Sequence, residues 1–107
     1  KTSNPDASAP DCDSSAKWEQ GWLVFVDRGV TGTIDPDDTV LAVHEGIAGW
    51  ADISAVNFNL YVSYLPTGTS RGSNGLGNDT MKICVAGERR DIIVNTVGRP
   101  RVAKGIC

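Results

Sequence analysis

Thr80-Met81-Lys82-Ile83-Cys84-Val85-Ala86 alternates at a period of two, placing Met81, Ile83 and Val85 on one face of a strand and Lys82 and Cys84 on the other. Downstream, Gly87-Glu88-Arg89-Arg90 reads as the tip of a hairpin into a second strand over residues 91–97. Val97-Gly98 then turns the chain into a third strand over residues 99–104. Pro100 has no N–H to give to a ladder, which puts that last strand at an edge. Upstream, residues 57–64 alternate too, with Phe58, Leu60, Val62 and Tyr64 on one face and Asn57, Asn59, Tyr61 and Ser63 on the other. Gly21-Trp22-Leu23-Val24-Phe25-Val26-Asp27 is aromatic and β-branched on both faces, the pattern of a central strand covered on both sides. It should form a hairpin with Thr39-Val40-Leu41-Ala42-Val43-His44 across a loop rich in Gly, Thr, Asp and Pro. Gly46-Ile47-Ala48-Gly49-Trp50 is too short and Gly-broken for a stable helix. Residues 66–79 read as an extended Gly-rich loop, and residues 1–17 as an exposed one. These elements predict a mainly β protein, an antiparallel two-sheet or partly open β-sandwich, in a single domain over 1–107 with its core in 18–107.

The chain has 107 residues and a mass of 11.3 kDa, enough for one domain, and no apolar run approaches the ~20 residues of a membrane-spanning helix. It begins at Lys1 without an initiator Met and reads as a portion of a longer precursor. The net charge of −3 conceals a division: residues 1–68 carry three basic and ten acidic side chains, residues 69–107 seven basic and three acidic. A local basic surface of that kind attracts phosphate within a Debye length even on an acidic protein. Cys12, Cys84 and Cys107 lack the spacing of zinc ligands. They suit an oxidising compartment, with Cys84 bridged to Cys107 and Cys12 left as a free thiol or paired upstream of Lys1.

In their order and spacing, Trp18 with the run from Gly21 to Asp27, Tyr64-Leu65-Pro66-Thr67-Gly68, Met81-Lys82-Ile83-Cys84 and Arg90-Asp91-Ile92-Ile93-Val94-Asn95-Thr96-Val97-Gly98-Arg99-Pro100-Arg101 resemble the minor pilins and pseudopilins of the GspH, FimT and FimU type. These belong to bacterial type IV pili and type II secretion systems. The resemblance implies a β-rich head that follows an N-terminal helix absent from this chain, the helix anchoring the protein in the inner membrane with its head in the periplasm before it joins a filament. It implies a minor pilin that primes pilus assembly and links other minor pilins to the major pilin. A DNA-binding minor pilin and a type II secretion pseudopilin are the alternatives. In similar proteins a Cys shortly upstream can pair with one at the position of Cys12.

Arg99 and Arg101 flank Pro100 and point the same way on an extended backbone, and planar guanidiniums suit phosphate oxygens. Arg89, Arg90 and Lys104 join them as candidate DNA or phosphate contacts if the hairpin tip folds near the last strand; Gly98-Arg99-Pro100-Arg101 resembles the signature of DNA-binding members. The competing reading is a solvated edge strand whose arginines pair with Asp91 and other carboxylates. Asp27, Asp35, Asp37 and Asp38 lack EF-hand spacing and suit ordinary turn roles, so no metal is expected. His44, the single histidine, reads as partly exposed and structural, without a nucleophile elbow or a paired acid and base, which predicts a non-enzyme. Residues 72–77 lack the Lys-Ser/Thr of a phosphate loop, and no cofactor motif is legible. Trp18, Trp22 and Trp50 read as core and loop anchors. Partner contacts are expected at the exposed sheet edge and the Gly-rich loop.

Overall fold

The computed structural model describes residues 1–47 and 49–107. They form one 3-10 turn, Trp18–Gln20, and eight strands: β1 Gly21–Val26, β2 Thr39–Glu45, β3 Ala51–Ser54, β4 Val62–Tyr64, β5 Ser70–Gly72, β6 Asp79–Val85, β7 Glu88–Val94 and β8 Pro100–Ile106. Every pairing is antiparallel, so the protein is mainly β as the alternation predicts. The elements gather into two compact units, Lys1–Ala48 and Gly49–Cys107.

In the first unit the expected hairpin forms, β1 pairing with β2 from Gly21↔Glu45 to Val26↔Thr39 with a register shift between Val24 and Phe25. The expectation of a central strand covered on both sides fails. β1 lies in a two-stranded ribbon, Val24 and Val26 are 49% and 37% exposed, and all seven residues of β2 are exposed. Strand propensity resides in the β-branched run itself, whereas cover requires a second layer that the run does not specify. Residues 1–17 are irregular but not simply an exposed loop. Thr2 N–H donates to the Gly21 carbonyl at 3.0 Å, Asp13 N–H to that of Lys1 at 3.1 Å, and Thr2 and Ala16 are buried. Backbone donors need partners whatever side chains they carry, and here they tie down a polar segment. In the second unit, Trp50 is 63% exposed and anchors no core. Ala48, part of the stretch read as too short for a helix, lies outside the described residues.

The second unit holds a four-stranded sheet in the order β3-β6-β7-β8 and a separate ribbon of β4 and β5. The last three strands are those predicted, with shifted ends. Ala86 and Gly87, at φ of 49° and 83°, make a two-residue turn in the left-handed region, so Glu88, Arg89 and Arg90 pair within β7 rather than forming a hairpin tip. Pro100 opens β8 at the sheet's edge, as expected. β3, only four residues long, has no signal strong enough to be read in advance. Cross-strand partners share a face, which puts Ile53, Ile83, Arg90 and Lys104 on one side of the sheet and Lys82, Asp91 and Ala103 on the other. The apolar side is the Ile53 side, carrying also Met81, Ile92, Val94 and Val102.

Two expectations in this unit are corrected. Residues 57–64 do not form one strand: only Val62–Tyr64 does, and Phe58 is fully buried while Leu60 and Tyr64 are exposed. The Asp79 carboxylate accepts the N–H groups of Val56 and Phe58 at 2.9 and 2.8 Å, and residues 57 and 58 wind into a turn beside a partner 21 positions along the chain from Phe58. Residues 66–79 are not one extended loop, since β5 lies within them and pairs with β4. Gly68, Gly75 and Gly98 close three turns of one kind: each donates its N–H to the residue three before it, Leu65, Gly72 or Asn95, at 2.8–3.0 Å. Each sits at φ of 82–88°, the left-handed position of a type I turn with a bulge.

Candidate functional site

The basic C-terminal third is positioned by β7 and β8, in register from Glu88↔Ile106 to Val94↔Pro100. Arg89 lies along β7 as a fork on Asp91 of the same strand, Nε donating to Oδ1 at 2.6 Å and Nη2 to Oδ2 at 2.7 Å, while Nη1 crosses to β8 and donates to the Ile106 carbonyl at 3.0 Å. Gly105 is the cross-strand partner of Arg89 and leaves it room, for a Cβ there would stand 2.7 Å from Nε. Asp91 is buried, and the Arg89 hydrogen bonds hold its carboxyl below the usual carboxylate value against the opposing effect of burial, with Lys82 adding a smaller pull. The same hydrogen bond raises Arg89 above its ordinary value. This pair therefore fastens β7 to the end of β8 at Ile106, the residue next to the disulfide that joins Cys84 to Cys107 with Cα atoms 5.9 Å apart.

The five candidate contacts do not converge. Arg89 is spent on Asp91, and Arg90 donates to the Arg89 carbonyl at 2.9 Å and to Glu88 at 3.5 Å. Lys104 is cross-strand to Arg90, on the face opposite Arg101. Arg99 and Arg101 are exposed, and among the described residues neither they nor Lys104 reach a carboxylate. The pairing of an arginine with Asp91, weighed as the competing reading, is realised by Arg89.

A shallow concavity of about 830 Å³ opens beside this pair, lined among others by Asn57, Asn78, Thr80, Lys82, Arg89 and Asp91. Its residues come from two strands, β6 and β7, and from the turns and connections beside them, so no contiguous motif could have announced it. Near β1 and β2, Asp27, Asp35 and Asp38 bring carboxylate oxygens within 4.8 Å of one another. Each has a turn role: Asp27 accepts Gly32 N–H, Asp35 accepts Val30 N–H, and Asp38 accepts those of Asp35 and Arg28. Those backbone donors lower the Asp38 carboxyl, and Asp37 stands outside the cluster. His44 stacks on Trp22 with centroids 4.0 Å apart, and its Nδ1 lies 2.6 Å from the Glu45 carbonyl. Cys12 is free, and burial pushes its thiol up.

A family model described as type II transport protein GspH matches residues 5–98, most of both units. The chain belongs to the GspH family. No curated protein and no solved structure matches it. Membership makes it a pilin-like protein of the type II and type IV class, associated with other pilins or pseudopilins in the cell envelope. The matched residues of this GspH-family protein stop at Gly98, so Arg99 and the edge strand with Arg101 and Lys104 follow them. No helix among the described residues is long and apolar enough to cross a membrane.

Proposed function

We propose that this domain is the head of a minor pilin-class subunit that primes filament assembly and links tip subunits to the major subunit, held at the inner membrane by a helix outside this chain. The match over residues 5–98 carries the reading. Its description weighs toward a type II secretion filament, with the type IV pilus as the other machine. Deleting the gene separates them: loss of exoprotein secretion with pili intact identifies the first, loss of pili and twitching the second, and neither phenotype overturns the assembly role. We further propose that the domain binds rather than catalyses, a reading supported by the engagement of His44 with Trp22 and the Glu45 carbonyl.

A second reading, DNA binding, rests on the unpaired and exposed Arg99 and Arg101. Two guanidiniums free for phosphate predict weak, sequence-independent, salt-sensitive binding. Mobility shifts of duplex DNA at ~50 and ~200 mM salt should disappear in Arg99→Ala/Arg101→Ala. Absence of any shift at the lower salt refutes it.

A further inference from the structure

Lys1–Ala48 carries three basic and nine acidic side chains, and Gly49–Cys107 seven basic and four acidic. Each unit also ends a sheet in an exposed strand with an edge that no described strand covers, β2 in the first and β8 in the second. The two match in length at seven residues, and both are exposed along most of that length. An uncovered edge is a row of unsatisfied N–H and C=O groups, the surface to which another strand adds.

The charges on these edges select the partner. Arg101 stands on one side of β8 and Lys104 on the other, with Arg99 just ahead of the strand, so the positive charge belongs to the edge rather than to a face. Two β8 edges brought together would set cations against cations, which excludes a symmetric pairing. Around β2 the balance is negative: Asp37 precedes it and Glu45 ends it, neither carboxylate with an ion-pair partner among the described residues, and the one cation at its start, Arg28, is held on the Asp37 carbonyl and the Thr39 hydroxyl at 2.8 and 3.0 Å beside Asp35 and Asp38. Carboxylates at both ends of β2 meet cations at both ends of β8 in either strand direction. Val40, Leu41 and Val43 of β2 and Val102 and Ile106 of β8, 41–88% exposed, supply apolar area to the same contact.

We propose that β8 of one copy of this chain pairs with β2 of a second, a head-to-tail contact that extends into longer species wherever it does not close into a ring. The contact is between copies in solution and stands independently of the assembly role proposed above.

Sedimentation velocity of the chain over a concentration series tests it. Dimers and longer species should accumulate with concentration at ~50 mM salt, and the apparent dissociation constant should weaken about tenfold or more at ~500 mM as the charges are screened. Arg99→Glu/Arg101→Glu/Lys104→Glu should be monomeric, Asp37→Lys/Glu45→Lys should be monomeric, and an equimolar mixture of the two should associate again. All five positions are exposed, and circular dichroism checks that each variant is folded. A wild-type chain that stays monomeric throughout overturns the proposal, as do charge-reversed variants that associate like wild type or a mixture of the two that stays monomeric.

Discussion

Ala86 holds φ of 49° in a two-residue turn, a conformation that glycine or asparagine enters more readily than alanine. Ala86→Asn should raise unfolding stability by about 1 kcal/mol, read as a higher urea midpoint at unchanged m-value. Asp91 sets the response to acid. Its carboxyl in the fold lies below the ordinary 3.8, because Arg89 donates to it. A depressed folded value means stability that is complete above the unfolded value near ~3.9 and is lost as pH falls through the lower folded one. Asp91→Asn should flatten this acid limb in urea midpoints taken between pH ~5 and ~2, and a limb as steep as that of wild type would refute the role. Asp13 acts in the same direction in the first unit, held at about 2 by the hydroxyls of Ser15 and Ser3.

Elements owe their ends to single positions. Gly72 closes β5 where a Cβ would run into the Asn57 carbonyl and stand 2.7 Å from the Phe58 ring, so Gly72→Ala forces backbone or ring to move and should cost about 1–3 kcal/mol. Gly75 faces open space at φ of 88°, and Gly75→Ala should cost only the left-handed strain of about 1–2 kcal/mol. Thermal melts of the two variants against wild type rank them. The end of β8 is held by the bridge between Cys84 and Cys107, 23 positions apart. A closed loop of that length predicts that Cys84→Ser/Cys107→Ser loses about 3 kcal/mol, measured as a lower urea midpoint.

Over the whole molecule the core is sparse: Phe58 is the one large apolar side chain fully buried among the described residues, with Ala16, Ala51 and Val94 the other buried apolar ones. Phe58→Ala should therefore cost about 3–5 kcal/mol, a large share of the ~5–15 kcal/mol that holds a domain, and a melt of the variant that matches wild type would contradict so central a place for the ring. The mainly β class, the hairpin of β1 and β2, the three C-terminal strands, the edge position of β8 and the disulfide were all legible in the sequence, because alternation, β-branching, Pro and Cys act through the residues that carry them. The family too was legible, in the order of its short motifs. Which strands have neighbours was not, and the Gly21 to Asp27 run reads as buried while lying in a ribbon. Nor could the sequence decide which cations are free. Arg89 and Arg101 are alike as residues, and only the fold, by setting Asp91 and Gly105 beside Arg89, commits one to holding the sheet together and leaves the other on its edge. Local chemistry determines how a segment can fold; its burial and its free charges depend on partners brought from elsewhere in the chain.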